Sequence, residues 1–150
     1  MVTLQAGSEP LKGYTLIRKL GAGCFGVVWL AEGPGKTPVA LKFLDLGMES
    51  GVKEFQAISW IKNIRHPNLL PIMGLWVLDQ GGDLIESVAT ELPQRTSQHR
   101  ASNPATLVVA MVAGDMNLRE RLSQYQSQGH LGIPKEPLLT YIEDAARGLD

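Results

Sequence analysis

The chain has one cysteine, three histidines, few aromatic residues and no surplus of charge of either sign, and each scarcity removes a class of function. A lone Cys24 has no internal disulfide partner, so an oxidised scaffold is not expected. His66, His99 and His130 share no metal-ligand spacing with Cys24 or with the carboxylates, which argues against a metal centre. With 14 Lys+Arg against 15 Asp+Glu, the net charge of −1 does not favour nucleic acid or an anionic membrane as main partner, since both need a basic surface. No apolar run approaches the ~20 residues that span a bilayer, and Met1 to Pro10 lacks a basic start followed by an apolar block. The expectation is a cytoplasmic chain with no membrane segment and no signal peptide.

Glycine, by contrast, is concentrated where it carries meaning. Leu20-Gly21-Ala22-Gly23-Cys24-Phe25-Gly26-Val27-Val28 places three glycines between strand-like runs, Tyr14 to Ile17 before them and Val27 to Leu30 after them. Without a Cβ the backbone turns tightly and brings N–H groups close to a bulky anion, so the segment reads as a strand–loop–strand phosphate cradle. The same glycine spacing in a dinucleotide fold needs a helix opening at the third glycine, and Val27-Val28-Trp29 starts a helix badly. A plain hairpin turn is the alternative. Val39-Ala40-Leu41-Lys42 follows at a short interval, and period-two alternation puts Ala40 and Lys42 on one face with Val39 and Leu41 on the other. A lysine beside a small alanine suits a cleft beneath a planar ring; a solvated lysine on an edge strand is its alternative.

Together these segments resemble the protein kinase family, and the resemblance extends along nearly all of the chain. Ile64-Arg65-His66-Pro67-Asn68-Leu69-Leu70-Pro71-Ile72 looks like the junction between helix C and the fourth strand. Leu107 to Asp115 looks like the fifth strand and hinge, and Asn117 to Leu122 like the start of helix D. Arg65 to Asn68 and Ala145 to Asp150 are most similar to bacterial serine/threonine kinases. The resemblance implies an α+β fold: a protein kinase-like N-lobe with a five-stranded antiparallel sheet and helix C, followed by helix D and the start of helix E. It implies an N-lobe over 1–113 and the first helices of an incomplete C-lobe over 114–150; within the N-lobe, about 91–106 has almost no apolar residues and reads as a polar insertion that departs from the family's plain pattern. Phosphoryl transfer in such kinases also needs a catalytic-loop aspartate and a metal-binding aspartate and asparagine. No His-Arg-Asp-type or Asp-Phe-Gly-type motif occurs here, so a fragment inactive on its own is expected, with ATP as ligand, Mg2+ only in the complete kinase, and a protein substrate only in the full-length form.

By the same resemblance, Gly21, Ala22, Gly23, Cys24, Phe25, Gly26 and Val27 cover the phosphates, Lys42 positions them, and Leu20, Val28 and Ala40 sandwich the adenine ring. Ala110 takes the gatekeeping position, with the Met111 carbonyl and the Ala113 amide on the adenine edge. Counting back from His66 places the helix C glutamate of kinases at Ala57, which cannot form an ion pair. Two outcomes stay open: a helix slid or rotated by one turn presents Glu54 to Lys42, or Glu54 stays solvated and Lys42 lacks its usual partner. The second outcome makes the chain a weak or atypical nucleotide binder; Ala57 is a ground for an alternative function, a pseudokinase or regulatory nucleotide-binding or interaction module, and an unrelated phosphate-binding hairpin domain is a third reading.

The remaining patterns are structural. The spacing predicts a helix ending near Arg65 with Val52, Phe55, Ile58 and Ile61 packing on the sheet. Asn117 with Glu120 resembles a capping box, and Gly129 closes that helix. After Pro134 and Pro137, Leu138, Ile142, Ala145 and Leu149 form an apolar stripe with nothing in this chain expected to cover it.

Overall fold

The computed structural model describes residues 3–23, 26–61, 63–85 and 104–149. Strands β1 (Thr15–Gly23), β2 (Gly26–Glu32), β3 (Pro38–Asp45), β4 (Ile72–Asp79) and β5 (Pro104–Val112) form one antiparallel sheet in the order β1-β2-β3-β5-β4. Helix α1 (Glu49–Ile61) follows β3 after three residues. The strands are rich in Val and Leu, and alternation sorts these side chains onto two faces.

On the outer face, Val39, Leu41 and Phe43 of β3 pack with Leu16, Trp29, Ala31, Leu78, Val108 and Ala110. On the opposite face, Leu44 and Leu46 pack with Val77, Leu107, Val109 and with Phe55 and Ile58 of α1. At ~1.5–3 kcal/mol for each fully buried large apolar side chain, these two clusters supply the main favourable term. The outer face is closed by the N-terminal segment. Gly7 N–H donates to Leu16 O and Leu16 N–H to Ser8 O, at 2.8 and 2.9 Å. Leu4, Leu11 and Tyr14 lie on the outer cluster, and the Tyr14 ring meets Trp76 edge-on at 5.5 Å between centroids.

Two sequence expectations shift. Helix α1 stops at Ile61 rather than near Arg65. Arg65–Leu70 belong instead to a second compact unit with Gly114–Asp150, while residues up to Ile64 and Pro71–Ala113 make the first. The polar insertion also ends earlier than expected: Pro104, Ala105 and Thr106 open β5, where Thr106 pairs with Asp45 on one side and Leu78 on the other. Proline is tolerated there because the first residue of a strand need not donate to the ladder. The rest of the insertion, 91–103, lies outside the described residues.

Within the second unit, α2 (Leu118–Ser127) opens on a complete capping box: Asn117 Oδ1 accepts the Glu120 N–H and Glu120 Oε2 accepts the Asn117 N–H, both at 2.9 Å. Gly129 follows the helix with φ +89°, a left-handed position that glycine adopts without strain. Helix α3 (Lys135–Arg147) starts after Pro134, and its C-terminal Gly148 lies against the Asn68 carbonyl, where a Cβ would sit at 3.1 Å.

Candidate functional site

The glycine segment forms the hairpin between β1 and β2, with Gly21 paired to Val28, Ala22 to Val27 and Gly23 to Gly26. Its three glycines do different work. Gly26 is required by the fold: its φ is +98°, and a Cβ there would lie 3.1 Å from the Phe43 carbonyl carbon and closer still to its oxygen. Gly21 and Gly23 have no positive φ and nothing within 4 Å of a built Cβ. Among the described residues nothing excludes a side chain at these two positions, which fits a surface kept bare for a ligand. Cys24 and Phe25, at the tip, lie outside the described residues.

Lys42 stands opposite Val28 on β2 and Val109 on β5, and its Nζ donates to Glu54 Oε1 of α1, twelve residues on in sequence. Both side chains are about one-fifth exposed, so the pair is sheltered but open to a cavity. That cavity, about 710 Å³, is lined by Lys42, Glu49, Ser50, Lys53 and Glu54. A smaller one of about 110 Å³ lies beneath the hairpin between Gly23, Gly26, Asp45, Gly51 and Glu54. Glu54 Oε2 is buried and has no hydrogen-bond partner among the described residues. On α1 the side chain that meets Lys42 is Glu54, and Ala57 is exposed.

The expected adenine pocket needs correcting in register. Ala110 pairs with Leu41 and is fully buried in the outer cluster, facing away from Lys42, so it cannot be the gatekeeping residue. Met111 pairs with Ala40, and its side chain packs on the α1-side cluster. The physical reason is strict period-two alternation, in which a one-residue miscount sends a side chain to the wrong face. Val27 likewise packs on the outer cluster and has only its backbone to offer the site. Val28, Ala40 and Lys42 share the inner face; Leu20 lies within an irregularity of the β1–β2 ladder and is 38% exposed; Ala113 is half-buried just past β5. Period-two counting along β5 from the outward-facing Val108 is the signal that could have found Met111.

Among the described residues no three His, Cys, Asp or Glu side chains are grouped so as to hold a metal ion, and no helix is long and apolar enough to cross a membrane. The sequence model of protein tyrosine and serine/threonine kinases matches residues 14–150. The chain belongs to that family. It is 37% identical over 67 residues to a putative L-type lectin-domain containing receptor kinase II.2 of Arabidopsis thaliana, a stretch covering 44% of this chain and 10% of that protein. Its fold is similar to that of the Mycobacterium tuberculosis PknI kinase domain, with a TM-score of 0.61 at 21% identity over 99% of this chain and 50% of that domain. The chain thus spans half the length of that solved kinase domain and a tenth of the curated relative. The sheet with α1 has the architecture of a kinase N-lobe.

Proposed function

We propose that this kinase chain is the ATP-binding portion of a serine/threonine protein kinase, which in its complete form transfers the γ-phosphoryl group to protein hydroxyls. The observation that carries this reading is the Lys42–Glu54 pair on the face shared by Val28, Ala40 and Met111, beside a hairpin whose Gly21 and Gly23 are bare toward open space. Glu54 holds the ammonium group in place, so the lysine meets the α and β phosphates without first losing the freedom of its four-carbon stem. The backbone N–H groups of the hairpin supply further donors to the phosphates. Val28, Ala40 and Leu20 offer apolar contact to the ring, and the Met111 side chain closes the pocket at its back. The one-residue register shift moves the carbonyl that reads the adenine edge to Val112.

Magnesium, which the complete kinase would use to neutralise the phosphates, finds no cluster of three ligating side chains among the described residues. The pseudokinase alternative drew on Ala57; the pairing of Glu54 with Lys42 supports the ATP-binding reading over it. ATP and a cytoplasmic protein substrate are the partners of this reading, in the two-lobed protein.

The test is calorimetric titration of the full-length protein with ATP, wild type against Lys42→Met. Micromolar to millimolar binding that falls at least tenfold in the variant is expected. Equal affinity in both would refute the assignment.

A further inference from the structure

We propose that Gly51, which contacts no nucleotide in the reading above, is the positioning residue that seats α1 so that Glu54 reaches Lys42; the inference rests on that reading. Gly51 lies in the first turn of α1 and is buried. A Cβ added there would fall 2.8 Å from the Asp45 carbonyl carbon, 3.4 Å from Leu46 N and nearer still to the Asp45 oxygen. The helix backbone therefore rests directly on the last residue of β3, a contact that a side chain at 51 forbids.

A short tether holds the same two elements. Only Leu46, Gly47 and Met48 join them; Asp45 Oδ1 accepts the Gly47 N–H at 2.8 Å, and the Gly51 N–H donates to Met48 O at 3.0 Å. Gly51, Glu54 and Phe55 share one side of the helix at i, i+3 and i+4. Phe55 and Ile58 are buried among Leu44, Val77 and Val109, so the later turns of α1 are fixed by apolar packing. A methyl group at 51 pushes the first turn off β3 with Phe55 as the pivot, and Glu54 sits between push and pivot. Gly51 and Glu54 also border the same small cavity beneath the hairpin, so the missing side chain and the carboxylate face one space.

Helix propensity by itself favours alanine over glycine, so a purely structural view expects Gly51→Ala to leave ATP binding alone. Seating predicts the reverse. In full-length protein titrated with ATP, Gly51→Ala weakens binding at least fivefold, and in a Glu54→Gln background it adds less than twofold, because both changes remove one interaction. Should Gly51→Ala not fold, a single glycine inserted after Gly47 loosens the same seat without a clash and weakens ATP binding by a similar factor. Unchanged affinity in the insertion variant, or losses from Gly51→Ala and Glu54→Gln that simply multiply, overturn the seating role while the nucleotide reading stands. A wild-type protein that does not bind ATP overturns both.

Discussion

Met111 stands directly across from Ala40 in the β3–β5 ladder, and both side chains fall on the face that carries Lys42. The neighbouring Ala110 faces the other way into a closed cluster. Pocket size at the back of the proposed nucleotide site is therefore set by methionine. Met111→Ala should let bulky adenine analogues bind at least tenfold better relative to slim ones, read by competition binding. Ala110→Phe should leave that ratio alone and overpack the outer cluster, costing ~1–3 kcal/mol in thermal or denaturant unfolding.

Glu54 is the side chain that meets Lys42, and Ala57, one turn further along α1, is exposed. Glu54→Gln should reduce ATP affinity about tenfold, ~1.4 kcal/mol. Adding Ala57→Glu to that variant should restore nothing, since a carboxylate there points elsewhere. Recovery of binding in the double variant would show that α1 can turn to use the position that family counting selects.

The hairpin glycines should separate by experiment into one that serves folding and two that serve binding. Gly26→Ala meets a positive φ and the Phe43 backbone, and is expected to lower stability by ~1–3 kcal/mol in a denaturant titration. Gly21→Ala and Gly23→Ala meet open space and should stay within ~0.5 kcal/mol of wild type, while ATP affinity falls several-fold. Equal stability losses at all three positions would contradict the division.

The apolar stripe that runs along α3 to Leu149 just beyond it is open among the described residues: Ile142 is 54% and Leu149 89% exposed. Ile142→Gln should raise the aggregation onset concentration of the 150-residue chain in light scattering and leave its melting temperature unchanged. A lower melting temperature instead would mean that this side chain already packs.

Much of this site was legible in the residues because its chemistry is local. Three glycines between two strand-like runs and the Ala40–Lys42 alternation fix the hairpin and the face of the lysine without reference to anything distant. The capping box at Asn117 and Glu120 is equally local. What counting could not supply was registration over distance. Ala57 and Ala110 were both placed by counting from another motif, and in each case a small offset decided the outcome: three residues on a helix, one on a strand. The end of α1 and the start of β5 were missed for a related reason, since what Arg65–Leu70 and Thr106 pack against lies far away in sequence.

The cover that residues 3–14 lay over the outer face of the sheet has a practical consequence. The family's sequence pattern takes hold only at residue 14, after Leu4 and Leu11 have already been passed. An expression boundary drawn at that point would strip Trp29, Val108 and Phe43 of their lid and leave β1 without the Gly7 and Ser8 backbone partners of Leu16. A domain cut there by homology should lose solubility through a fault introduced at its N-terminal boundary.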